Sequence, residues 1–230
     1  MNSSELVAFF RKNSWFRNLP ESVIAEIVVL SKRKTLAKGQ LLHAKNDPPD
    51  GFFCVVSGKI RISNVNQDGK EMVLTWLEAG SWFGEISLFD NLPRTHDAHA
   101  ECDTELVKLP TQAFHELLQR HPELYPHFMV LLCQKIRATF SLIDETGGLS
   151  LQGQLAKRLL LLSNGLGQSS TESATRQIEI SQESLAHMLN SSRQTVNKLL
   201  QGMQRAGVLT VHYGKIAILD AQSLHRMSEI

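Results

Sequence analysis

Residues 181–207 read SQESLAHMLNSSRQTVNKLLQGMQRAG. Ser181, followed by Ser184 and Leu185, is a helix start, and the pattern carries that helix to about Leu189. Asn190-Ser191-Ser192 breaks it. A second helix is predicted from Ser192 to Ala206, closed by Gly207. Ala186 is small, as a residue must be where two helices cross closely. Val196, Leu199, Leu200 and Met203 make an inward face, and the opposite face is polar and cationic. That is a helix-turn-helix. The residues in place to meet DNA are Ser192, Arg193, Gln194, Thr195, Asn197 and Lys198. Arginine pairs with the two acceptors of guanine, and glutamine or asparagine with adenine.

Reading outward, VLTVHYGKIAIL at 208–219 predicts a two-stranded hairpin turning at Tyr213-Gly214, a wing beside the helices. From Asn190 to Leu219 there is no Asp or Glu, while Arg193, Lys198, Arg205 and Lys215 are present. A phosphate backbone attracts such a surface. The plainer alternative is a helical hairpin used for protein contacts.

Upstream, residues 164–177 are polar and rich in Gly and Ser, and read as a loop. LSLQGQLAKRLLLLS before them reads as a helix, and Gly147-Gly148 as a stop and hinge. Residues 122–145 predict a long helix with Pro122 near its start. It carries two apolar stripes. Met129, Leu132, Ile136, Thr139 and Ile143 form one; Phe128, Leu131, Ala138 and Leu142 form the other. One stripe suffices to pack within a subunit. The second, at 3/4 spacing, predicts a homodimer through residues 124–145, the alternative being a helix buried on two sides.

From 33 to 109 the pattern shortens to strands. GFFCVVSGKIRIS reads as two runs joined in a hairpin at Ser57-Gly58, and Asp68-Gly69 marks the next turn. MVLTWL, HDAHAE and ELVKL follow, which predicts a β-sandwich or barrel, with a jelly roll as the expected form. Residues 5–30 and 111–119 read as short helices. The class is α+β. The predicted domains are a jelly-roll sensor at 1–121, a dimerisation helix and hinge at 122–148, and a winged helix-turn-helix at 149–230.

A chain of 230 residues with 42% hydrophobic and 20% charged residues is ordinary for a soluble globular protein. The formal net charge of +1 says nothing about partners, so only local charge is informative. Three scattered cysteines, Cys54, Cys102 and Cys133, argue against disulfides, zinc and iron–sulfur clusters, and point to a reducing cytoplasm. The first residues lack the apolar core of a signal peptide, and no run approaches 18 apolar residues, so no membrane partner is expected. The histidines follow no ligand spacing, so no metal or haem is expected. No P-loop, nucleophile elbow or acid–base pair supports an enzyme.

One stretch remains, FGEISLFDNLPRTHDAHA at 83–100, which sets Glu85, Arg94 and Thr95 in apolar surroundings. FGEISLFDNLPRT and SSRQTVNKLL at 191–200, in this order and spacing, resemble the cAMP receptor protein/FNR (Crp/Fnr) family of bacterial transcription regulators. The resemblance covers almost the whole chain. It implies a dimeric regulator that binds double-stranded DNA, with RNA polymerase as a candidate partner. It also implies a small anionic effector in the jelly roll, cAMP or another cyclic nucleotide. Carried over, Arg94 takes the phosphate, Thr95 assists, Glu85 accepts from a ribose hydroxyl and Gly84 allows close backbone approach. The family's two adenine-holding hydroxyls fall at Thr139 and Phe140; Thr139 fits and Phe140 departs. Two alternatives stay open. The barrel is empty, closed by an Arg94–Glu85 pair, or the chain is a nucleotide-binding module acting on another protein.

Overall fold

The computed structural model describes every residue except 14, 17, 66–68, 70, 147, 164–175, 213 and 230; side chains at 141, 142, 144–146 and 176 are also outside the description. The chain divides into two compact units within one long helix, between Leu132 and Cys133.

The first unit is a double β-sheet with helices on one side. Helix α1 (Ser3–Arg11) begins in a capping box, in which Asn2 and Glu5 satisfy each other's backbone N–H groups. Helix α2 (Glu21–Leu30) buries Val23, Ile24, Ile27 and Val28. Among the described residues, eight strands follow: β1 (Lys32–Leu36), β2 (Leu41–His43), β3 (Gly51–Ser57), β4 (Lys59–Val65), β5 (Glu71–Glu78), β6 (Trp82–Phe83), β7 (Asp97–Ala100) and β8 (Thr104–Pro110). They form two antiparallel four-stranded sheets, ordered β1-β8-β3-β6 and β2-β7-β4-β5. This is the jelly-roll arrangement expected from the spacing of turns.

The expected β3–β4 hairpin is corrected. Strand β3 pairs with β8 and β6, while β4 pairs with β5 and β7, so the chain changes sheets at Gly58 instead of turning back. Gly58 has φ +85°, and a Cβ there would lie 2.5 Å from both Asp103 O and Thr104 Oγ1. Only glycine passes this crossing.

Strand β3 is buried from Gly51 to Val56 because both of its faces are covered. Phe52, Cys54 and Val56 join Val107 and Leu109 under the helices, with Phe10, Phe16, Trp82, Phe114 and Phe128. Phe53 and Val55 join Leu36, Ile60, Phe83, Ala98 and Leu106 between the sheets. Helix α3 (Glu85–Asp90) follows β6, and helix α4 (Thr111–Arg120) follows β8. A 3-10 turn at Pro122–Leu124 leads into helix α5 (Tyr125–Thr146). Phe128 and Leu131 are buried in the helix-side core, as one of the two stripes requires. Met129, Ile136 and Ile143 of the other stripe are 61%, 51% and 58% exposed. The Leu142 side chain of the buried stripe and Gly147 of the expected hinge lie outside the described residues.

The second unit contains helix α6 (Leu151–Ser163), strand β9 (Arg176–Glu179), helices α7 (Gln182–Met188) and α8 (Arg193–Arg205), strands β10 (Leu209–His212) and β11 (Lys215–Ile218), and helix α9 (Ala221–Met227). The predicted wing gains a third strand, giving the order β10-β11-β9. Arg176 and Gln177 belong to this strand, so the polar segment expected to be a loop to residue 177 ends earlier. Residues 164–175, like Tyr213 at the predicted wing turn and Asp68 at the β4–β5 turn, lie outside the described residues.

Candidate functional site

In the first unit the short helix α3 organises the site. Gly84 caps its start with φ +97°, and Asn91 closes its end with φ +58°. Six residues are too few to show a helical period, which is why the apolar pattern did not reveal this helix. It sets Glu85 fully buried in the first turn and turns the chain through Leu92 and Pro93 to Arg94.

Arg94 is 3% exposed. Its backbone is fixed from both sides, its N–H donating to Asp47 O and its carbonyl accepting from Asn46 N, each at 2.8 Å. Its guanidinium donates from Nη1 to Gly84 O at 2.9 Å, and from Nη2 to Gly51 O at 2.7 Å and Asp50 Oδ1 at 2.9 Å. Nε is buried and makes no hydrogen bond among the described residues. The carboxylate paired with Arg94 is therefore that of Asp50, which no sequence signal singled out. Its second oxygen accepts from Lys108 Nζ at 2.6 Å. Burial works to raise the Asp50 pKa, but hydrogen bonds from Lys108 and Arg94 outweigh it and hold the acid below its usual range.

Gly84 serves the arginine directly. A Cβ there would lie 2.6 Å from Arg94 Nη1 and 3.1 Å from Gly51 O. Thr95 is exposed, and its hydroxyl lies 2.9 Å from His96 Nδ1. Deeper in the barrel, Arg94 Cζ sits 5.5 Å from the centre of the Phe53 ring, which stacks on Phe83. His43 lies beside both rings. Burial, helped by the Arg94 charge, lowers its pKa to about 4, so it is neutral at pH 7. The site is thus a desolvated guanidinium with a neutral imidazole and aromatic walls, suited to an anionic group carried on a flat or apolar body. Thr139 lies on α5 in the second unit, exposed, with its hydroxyl donating to Lys135 O at 2.9 Å; Phe140 is 61% exposed.

The second unit presents the other site. Ser192 caps α8, its Oγ accepting from Thr195 N at 3.1 Å and lying 2.8 Å from Thr195 Oγ1. Val196, Leu200 and Met203 are buried. Ser192, Arg193, Gln194, Thr195 and Lys198 are exposed, and Asn197 is half-buried. Ser192 is the cap, and the other five lie on the first turns of the one helix. Ala186 is 2% exposed, and its carbonyl accepts from Ser191 N at 2.9 Å, which fixes the turn between the helices. Asn190, with φ +47°, supplies the left-handed residue there. Lys215 in the wing pairs with Glu179 at 2.7 Å; this carboxylate lies outside the acid-free stretch and reaches it through the β9–β11 pairing.

Two family models match the chain. A cyclic nucleotide-binding domain covers residues 33–121, and a Crp-like helix-turn-helix domain covers residues 153–227. A CRP-like cAMP-activated global transcriptional regulator of Mycobacterium tuberculosis is 26% identical over 211 residues, covering 92% of this chain and 94% of the relative. A cyclic AMP receptor protein of Thermus thermophilus is 28% identical over 198 residues, covering 86% and 88%. Among solved structures, a CRP/FNR-family transcriptional regulator, also of Thermus thermophilus, aligns with TM-score 0.60 and 26% identity, over 86% of this chain and 99% of that one.

Proposed function

The chain belongs to the cAMP receptor protein/FNR family of transcription regulators, and from that premise we propose a homodimeric, sequence-specific DNA-binding regulator whose jelly roll senses a small anionic effector. The observation that carries the reading is α8, a helix with a buried apolar face and an exposed, N-capped face of base-reading residue types. Ser192, Arg193, Gln194, Thr195, Asn197 and Lys198 are the proposed DNA contacts. Gly84, Glu85, Arg94, Thr95 and Thr139 are the proposed effector residues, with a cyclic nucleotide as the first candidate.

Selection of duplexes from a random pool tests the DNA reading. Near-palindromic sites are expected, with half-site centres about 34 Å apart or a multiple of it. Recovery of asymmetric single sites alone would contradict it. Gln194 is proposed to read a base. Gln194→Glu removes the amide donor and leaves an acceptor for cytosine, so the selected motif should shift toward C·G at one position per half-site. An unchanged motif would remove Gln194 from the reading set.

The dimer is proposed to form through residues 124–145, where Met129, Ile136 and Ile143 leave an apolar stripe exposed on one chain. Ile136→Glu places a charge in that seam. Sedimentation should then show a monomer at concentrations where the wild type is dimeric; an unchanged dimer would move the seam elsewhere. A second reading, a regulator whose barrel needs no ligand, is favoured by the Asp50 carboxylate already engaged with Arg94.

A further inference from the structure

Arg94 shares its carboxylate. Asp50 Oδ1 accepts from Arg94 Nη2 at 2.9 Å, and Oδ2 accepts from Lys108 Nζ at 2.6 Å. Lys108 reaches Asp50 from the neighbouring strand. On β8 it stands opposite Phe53 of β3, and residues opposed in an antiparallel pair share a face. Phe53 faces the core between the sheets, so Lys108 rises on the barrel's inner side. Both cations lie against that one ring, Arg94 Cζ at 5.5 Å from its centre and Lys108 Nζ at 5.9 Å. The lysine stem crosses Gly51, where a Cβ would lie 2.9 Å from both Lys108 Cγ and Cε. The same Cβ would lie 2.7 Å from the Leu109 carbonyl oxygen, so Gly51 leaves room for both the strand backbone and the lysine stem.

The charges decide what this arrangement does. Arg94 and Asp50 by themselves form a neutral pair. An arriving anion would have to take the guanidinium from a partly buried carboxylate and leave that carboxylate without a cation, which is costly. Lys108 removes this obstacle, because Asp50 keeps a cation when Arg94 turns away. The three groups together carry one positive charge, matched to one negative charge on a ligand.

We propose that Lys108 is a positioning residue of the effector site: it retains Asp50 while Arg94 transfers its Nη2 hydrogen bond from Asp50 to the effector's anionic group. The inference rests on the reading of Arg94 as the effector's anion partner, and it adds the residue that makes that arginine available. Lys108 acts through Asp50 and does not itself touch the ligand.

Calorimetry on the full chain tests this, with cAMP, cGMP and inorganic phosphate as probes and Arg94→Ala as control. Lys108→Met should weaken binding of whichever probe the wild type takes by about tenfold or more, the lower end of the value of one charge-assisted hydrogen bond. Asp50→Asn should tighten it. The decisive variant is the double one. With Asp50→Asn in place there is no carboxylate to retain, so adding Lys108→Met should leave affinity within about threefold of Asp50→Asn alone, a margin of under 1 kcal/mol. A double variant as weak as Lys108→Met overturns the proposal and makes Lys108 a ligand contact. Binding that is lost in Arg94→Ala but indifferent to Lys108→Met overturns the proposal and leaves the effector reading standing. No binding of any probe by the wild type, Asp50→Asn or the double variant overturns both.

Discussion

Arg94→Ala is expected to lower effector affinity by thirtyfold or more. Loss of a charge-assisted contact to a desolvated phosphate costs about 2–5 kcal/mol, which is about thirtyfold at its lower end. Arg94→Lys should also weaken binding, because an ammonium cannot make the two parallel bonds of a guanidinium. The lysine variant matters because the alanine variant also disturbs the unliganded barrel. Arg94 is buried and donates to Gly84 O, Gly51 O and Asp50, so its removal leaves two backbone acceptors short of a donor. Each buried group left unpaired costs about 1–3 kcal/mol. A lower melting temperature for Arg94→Ala is therefore expected on either reading of the barrel.

The two readings part on the paired measurements. If the barrel binds an anion, the wild type should be stabilised by that ligand increasingly with the logarithm of its concentration above Kd, and Arg94→Lys should lose most of this shift relative to its own melting temperature without ligand. If Arg94 only closes an empty barrel, no nucleotide should raise the wild-type melting temperature, and Arg94→Ala should melt lower with or without ligand. Because the carboxylate paired with Arg94 is Asp50 at 2.9 Å, Asp50→Asn is the informative partner variant. A wild type unaffected by cAMP, cGMP or phosphate, beside a destabilised Arg94→Ala, would favour the empty barrel.

What could be read in the sequence was what local chemistry specifies. The caps Ser181 and Ser192, the left-handed Gly207 and the apolar spacing of α8 each act within a few residues, and together they fixed the helix-turn-helix. The burial of Phe128 and Leu131 and the exposure of Met129, Ile136 and Ile143 on α5 were likewise legible, because helical periodicity separates one face from the other. Strand β3 was harder. GFFCVVS does not alternate, since one of its faces packs under helices and the other packs between the sheets. A strand buried on both faces states no register, so Ser57-Gly58 looked like a hairpin where the chain crosses between sheets. Asp50 could not be found at all by spacing. It stands 44 positions before Arg94, and only the folding of the β3 entry against the loop after α3 brings them together. The same holds for Glu179, which reaches Lys215 through the pairing of two strands that are not consecutive in the chain.

That last pair refines the expected response of DNA binding to salt. Arg193, Lys198 and Arg205 are exposed on α8, and Lys215, also exposed, pairs with Glu179 at 2.7 Å. A dimer engaging the three helix cations of each subunit makes about six phosphate contacts, and affinity should then fall about a thousandfold between 50 and 200 mM salt. Lys198→Ala should flatten the slope of log affinity against log salt by about two for the dimer, one for each phosphate left without its lysine. If Lys198 reads a base instead, the slope should hold while the preferred motif changes. Glu179→Gln releases Lys215 and should steepen the slope, provided the wing lies against the backbone; an unchanged slope would place the wing away from DNA. Duplex affinity that barely changes across this salt range would exclude α8 as a phosphate-contacting surface, and with it the reading of its exposed face as the DNA-binding element.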